Sequence, residues 1–121
     1  MAKTIMTVDD SKTMRDMVAF TLRQAGYEVR EAADGQQALT ALGGTAVDVV
    51  ITDLNMPVMD GLELIRRLRA HPAHRATPIL VLTTESDGAK KDDARKAGAT
   101  GWLVKPFDPP KLLATIQRVC P

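Results

Sequence analysis

The sequence predicts an α/β fold: a five-stranded parallel sheet, doubly wound as (βα)5, with helices on both faces. Three observations carry that expectation. Strand-like and helix-like segments alternate five times along the chain. The segment Val47-Asp48-Val49-Val50-Ile51-Thr52 is apolar enough to be buried on both faces, as a central parallel strand is. Each strand is followed by enough helical chain for a right-handed crossover to the next.

Thr4-Ile5-Met6-Thr7-Val8 is β-rich and stops at Asp9-Asp10-Ser11, residue types that cap helices. In the helix that follows, Met14, Met17, Val18, Leu22 and Ala25 are expected on one buried face, with Gly26 as the stop. Tyr27 to Ala32 reads as a second strand interrupted by polar residues, and Gly35 to Leu42 as a short helix closed by Gly43-Gly44. After the third strand, 47–52, the Pro and Asp-Gly content of Asp53-Leu54-Asn55-Met56-Pro57 and Asp60-Gly61 predicts a loop. Leu62, Ile65 and Leu68 mark a helix that ends before Pro72. Pro78 opens a fourth strand, Ile79 to Thr83, and a polar helix from about Asp87 to Ala97 is ended by Gly98. Trp102-Leu103-Val104 is a short fifth strand, and Leu112, Leu113, Ile116 and Val119 face the core from a last helix.

Composition narrows the function without identifying it. The 121 residues fit one domain, 1–121, with no room for an output domain. A chain of this size buries about two-thirds of its unfolded surface and needs no disulfide or structural metal to fold. Cys120 is the single cysteine, which suits a reducing compartment. Sixteen basic residues less fifteen acidic ones leave a net charge of +1, so nucleic acid is not an expected partner. No apolar run approaches the ~20 residues of a membrane span, and no signal peptide is visible; a cytoplasmic protein without membrane contact is expected. Aromatic residues make up only 3%, too few for base- or sugar-stacking platforms.

In open parallel sheets ligands sit beyond the carboxyl ends of the strands. Those positions hold a coherent set here. Strand 1 delivers Asp9 and Asp10, strand 3 Asp53, strand 4 Thr83, and strand 5 Lys105 followed by Pro106. Three carboxylates at one sheet edge repel each other unless a cation lies among them, and a hard divalent ion, Mg2+ above all, answers that need. A nucleotide-phosphate cradle does not fit, because the turn Val8-Asp9-Asp10-Ser11-Lys12 has no glycine. What fits is a carboxylate that accepts a phosphoryl group, with a metal, a lysine and a hydroxyl balancing its charge.

With these residues in order, the sequence resembles the receiver domain of two-component response regulators over its full length, from Asp9-Asp10 through Asp53 and Thr83 to Lys105-Pro106-Phe107. The stretch Asp53-Leu54-Asn55-Met56-Pro57-Val58-Met59-Asp60-Gly61-Leu62-Glu63-Leu64 is similar to that of the single-domain chemotaxis receivers. The resemblance implies a flavodoxin-like strand order, 2-1-3-4-5. It implies that Asp53 is the phosphoacceptor, served by a CheA-like sensor histidine kinase. Asp10, Asp53 and the main-chain carbonyl of Asn55 would bind magnesium directly, with Asp9 acting mainly through a water. Lys105 would pair with the phosphoryl oxygens, Thr83 would close onto them, and the Lys105-Pro106 bond would be cis. The fourth helix, fifth strand and fifth helix would form the output surface, with Lys90, Lys91 and Trp102 on it.

Each of these residues has a plainer reading. The Asp-Asp pair could be a helix cap, with Asp10 placed to cap and to bind metal; Thr83 is an ordinary strand residue and Lys105 an ordinary surface one. Their joint placement at successive strand ends is what favours chemistry. His71 and His74 flank Pro72 without a ligand partner at useful spacing and are expected in a surface loop. The stretch Lys90 to Lys96 mixes both charges, as a solvated helical face does, and Met14, Met17, Met56 and Met59 are core or loop filler. Trp102 departs from the Tyr, Phe or His usual in the family three residues before the lysine, so either its pocket is enlarged or the aromatic switch is muted. Thr84 is larger than the residue usual after the switch hydroxyl and is expected to narrow access to Asp53. Asn55 and Glu85 hold the positions that tune dephosphorylation.

The function expected is therefore a stand-alone, monomeric phosphorylation switch, catalytic only toward its own phosphorylation and dephosphorylation, signalling to the flagellar switch or another downstream protein. A phosphate sink or stress relay shares this architecture. A phosphorylation-independent interaction module is the second class; the complete acidic set argues against it. An aspartyl-phosphate phosphatase resembling the haloacid dehalogenases is the third, and it would need an Asp where Asn55 stands.

Overall fold

The computed structural model describes residues 2–85 and 87–121. Among them, five strands and five helices alternate: β1 Thr4–Val8, α1 Lys12–Gln24, β2 Glu28–Ala32, α2 Gly35–Leu42, β3 Val49–Thr52, α3 Gly61–Ala70, β4 Ile79–Thr83, α4 Gly88–Ala97, β5 Gly101–Val104 and α5 Pro109–Val119. The strands are parallel in the order β2-β1-β3-β4-β5. The expected fold class and the expected order are therefore what the chain adopts. No described helix is long and apolar enough to cross a membrane.

Side-chain alternation along the inner strands divides the core into two halves. Met6, Val8, Val50, Ile79 and Val81 face α2, α3 and α4, whose Leu42, Leu64, Ile65, Leu68 and Ala94 cover them. Ile5, Val49, Ile51, Leu80 and Leu82 face the other way, onto Val18 and Leu22 of α1 and Leu112 and Ile116 of α5. Every residue of β3 and β4 is buried, as strands covered on both faces require.

Local chemistry explains where elements begin. Aspartates cap three helices: Asp34 accepts from the Gln37 amide, Asp60 from that of Glu63, and Asp87 from that of Ala89. Asp87 is thus the cap of α4 rather than its first residue. Prolines 109 and 110 open α5, where a missing amide proton costs nothing. The third strand is two residues shorter than expected, starting at Val49; just before it, the Asp48 amide donates to the Thr4 carbonyl at 2.8 Å while its carboxylate accepts from the Thr4 amide at 2.7 Å. Both bonds tie the entry of β3 to the start of β1, and the register with β1 begins at Val49.

Three expectations are corrected. Ser11, not Asp10, caps α1, accepting from the Met14 amide. On α1 the buried residues are Val18, Ala19 and Leu22, whereas Met17 and Ala25 are exposed. His74 is 1% exposed rather than on the surface, and its Nε2 donates to the Gly43 carbonyl at 3.1 Å. It joins the α3–β4 loop to the end of α2, while His71, 4.9 Å away ring to ring, stays exposed.

Candidate functional site

The turn after β1 is built around Asp9. Its amide donates to Ala32 at the end of β2, its Oδ1 accepts from the Ser11 amide at 2.9 Å, and its carbonyl accepts from Arg15 at 2.7 Å. Asp9 is 4% exposed; Asp10, the next residue, is exposed. Beside this turn, β3 delivers Asp53, 8% exposed, whose amide donates to Val8 and whose Oδ1 accepts from the Leu54 amide at 2.7 Å.

Lys105 arrives from the end of β5. Its amide donates to the Thr83 carbonyl, which fixes it against β4. Its Nζ then lies 2.6 Å from Asp9 Oδ2 and 2.8 Å from Asp53 Oδ2. Thr83 is fully buried; its Oγ accepts from the Glu85 amide, and no described acceptor takes its own proton. The Lys105-Pro106 bond is cis, as expected.

Carboxylate oxygens of Asp9, Asp10 and Asp53 all lie within 4.8 Å of one another. Three carboxylates against one ammonium leave two negative charges, the charge that a divalent cation neutralises. Burial by itself would lower the Lys105 pKa; the hydrogen bonds to Asp53 and Asp9 outweigh it and hold the ammonium above its ordinary value. The donors are all hard oxygens, and no described donor occupies the Asp10 carboxylate. No described amide donates to the Asn55 carbonyl either, two residues beyond Asp53. The residues present therefore fit a hard divalent cation such as magnesium. Asp9 and Asp53 each give one carboxylate oxygen to a backbone amide and the other to Lys105, which leaves Asp10 as the uncommitted carboxylate of the three among the described residues.

The loop carrying Asp53 depends on a residue that sequence reasoning passed over as a turn former. A Cβ on Gly61 would overlap the Asp53 carbonyl oxygen and come within 2.8 Å of the Leu54 Cα. Only glycine lets the Gly61 amide reach the Leu54 carbonyl at 2.8 Å, closing the loop over the first turn of α3. The close approach has no signal in the sequence beyond the Asp-Gly pair.

Thr84, next to Thr83, is exposed and Glu85 is half-buried, its carboxylate accepting from the Asp87 amide. Away from the carboxylates, Trp102 is half-buried and packs on the α4 side of the sheet. It lines a groove of about 180 Å³ with Lys91, Ala94, Arg95 and Ala99. Lys90 and Lys91 are exposed on α4.

Comparison with known proteins agrees with this geometry. The family described as the response regulator receiver domain matches residues 5–117. The chemotaxis protein CheY1 of Helicobacter pylori is 42% identical over 117 residues, covering 95% of this chain and 94% of that one. The crystal structure of the Vibrio cholerae chemotaxis protein CheY4 superposes with a TM-score of 0.94 at 50% identity, covering 98% of this chain and 99% of that one. The receiver domain of the sensor histidine kinase PA1611 from Pseudomonas aeruginosa, which has a magnesium ion coordinated in its active site cleft, gives a TM-score of 0.92 at 30% identity, covering 99% and 98%. By its fold, its acidic strand ends and these likenesses, the chain belongs to the response regulator receiver domain family.

Proposed function

We propose that this receiver is a chemotaxis response regulator of the CheY type, phosphorylated on Asp53 by a sensor histidine kinase. The observation that carries the proposal is the convergence of Asp9, Asp10, Asp53 and Lys105 on one pocket at the strand ends. The chemotaxis relatives favour that setting over a phosphate sink or another relay.

Asp10, Asp53 and the Asn55 main-chain carbonyl would hold magnesium, with Asp9 beside them, and the ion would neutralise charge on the phosphoryl oxygens. A carboxylate oxygen of Asp53 attacks phosphorus in line; the phosphorus–nitrogen bond of phosphohistidine breaks and its electron pair leaves with the imidazole. Lys105, charged and already at the Asp53 carboxylate, is placed to pair with the transferred oxygens. Thr83 holds a free hydroxyl proton for one of them. Asp53, Asp9 and Thr83 are each less than a tenth exposed, so little water competes for these contacts.

The product carries added negative charge and new acceptor oxygens. Conformations in which Thr83 and Lys105 both reach it gain population. The surface of α4, β5 and α5, with Lys90, Lys91 and Trp102, then changes its affinity for a downstream protein such as a flagellar switch component. The protein acts as a monomer in the cytoplasm, and its chemistry is confined to its own phosphorylation and dephosphorylation. Incubation with acetyl phosphate and magnesium should add one phosphoryl group to the protein; label that persists in Asp53→Asn contradicts the assignment.

A further inference from the structure

Asp10 presents an exposed carboxylate that no described donor holds, so its direction is set by the peptide it hangs from. That peptide begins at the Asp9 carbonyl. The Asp9 amide is fixed by Ala32 and its carboxylate by Ser11 and Lys105. Its carbonyl is fixed by Arg15 Nη1 at 2.7 Å.

Arg15 is itself well held. Its amide donates to the Ser11 carbonyl within the first turn of α1, and its side chain is only 17% exposed. Its Nε lies 3.5 Å from Glu31 Oε1 on β2, and Glu31 also meets Arg23 at 3.4 Å. The guanidinium thus bridges α1 and β2 and grips the plane of the Asp9-Asp10 peptide between them. If that carbonyl were released, the peptide could rotate and carry the Asp10 carboxylate away from Asp9 and Asp53.

We propose that Arg15 is a positioning residue for the metal-binding turn, acting through the Asp9 carbonyl to aim Asp10 at the cation. The proposal rests on the magnesium reading above and adds a residue that touches neither the cation nor the phosphoryl group. It also makes a prediction opposite in sign to simple electrostatics. Arg15 is a cation close to an anionic site, so charge alone says that removing it should tighten magnesium binding. Loss of positioning says that it should weaken.

Magnesium affinity measured by calorimetry on wild type, Arg15→Gln and Arg15→Lys separates the two, with circular dichroism confirming that each is folded. Positioning predicts that Arg15→Gln binds magnesium about tenfold more weakly, as is common when a group orienting a ligand is lost. Arg15→Lys, which keeps the charge but cannot grip carbonyl and Glu31 together, should fall between. Phosphorylation by acetyl phosphate should then need more magnesium to reach half-maximal rate, with the maximal rate preserved. Unchanged or tighter binding by Arg15→Gln overturns the proposal while leaving the magnesium reading intact. Wild-type protein that binds no magnesium overturns both. If Arg15→Gln does not fold, Arg15→Lys decides alone: affinity equal to wild type contradicts positioning.

Discussion

Val58 sits in the loop between Asp53 and α3 with φ +68°, a conformation that a β-branched side chain rarely adopts. Its side chain is 83% exposed, so packing gives nothing back. Val58→Asn, which tolerates this conformation, should raise stability by about 1 kcal/mol, read from the urea midpoint. Gly61 is the converse case. Its missing Cβ faces backbone atoms of Asp53 and Leu54 that cannot swing aside, so Gly61→Ala should cost about 3 kcal/mol and disturb the Asp53 loop. The measurement is thermal unfolding, and a loss below about 1 kcal/mol would show that the loop relaxes. Lys105 adds a pH dependence whose sign is fixed. Its folded pKa lies above the ordinary 10.5, so its contribution is complete below that pH and is lost only as pH rises through the folded value. Lys105 is therefore charged at neutral pH. The strand-end rule made Asp9, Asp10, Asp53, Thr83 and Lys105 readable from sequence, because each lies at the end of a strand or within two residues of it. Arg15 was not readable, since on paper it is one more charge on a helix. Burial of His74 was hidden for a similar reason: its partner, Gly43, lies 31 positions away.

Helix α4 is the least embedded helix at the element scale, with Ala94 its only buried residue in the described structure. Its far end is fastened instead by Arg69 of α3. Arg69 donates twice to the Gly98 carbonyl and also to the carbonyls of His74, Arg75 and Thr77. Gly98, at φ +118°, ends α4, and a Cβ there would come within 2.8 Å of the Arg69 side chain. Arg69→Ala leaves those carbonyls without their donor and should cost about 3 kcal/mol. Hydrogen exchange should show the loss concentrated at the end of α4, Gly98 to Thr100, and in the 71–77 loop; uniform loss across the sheet would contradict this local role. Element order and the stops of α1, α2 and α4 were legible because Gly26, Gly43 and Gly98 stand at or just past those helix ends; the caps Asp34 and Asp60 were not, since each stands before a glycine, as in a turn. The start of β3 was not, since Val47 extends its apolar, β-favouring pattern across Asp48 without being part of the strand.

Taken as a whole, the molecule has a net charge of +1 but an acidic pole at one sheet edge. The carboxylate repulsion there opposes folding until a cation relieves it. Magnesium at a hundredfold excess over its Kd should stabilise the protein by about 2.7 kcal/mol, raising Tm by about 10 °C. Chelation should reverse the shift, and Asp10→Asn should abolish most of it. The central claim is that Asp53 receives the phosphoryl group, and borohydride trapping tests it most directly. A chemotaxis histidine kinase carrying labelled phosphohistidine is mixed with the protein and magnesium, and the product is reduced so that an aspartyl phosphate becomes homoserine. Peptide mapping should find homoserine at position 53; homoserine at position 9 or 10, or label that resists reduction, would contradict the account.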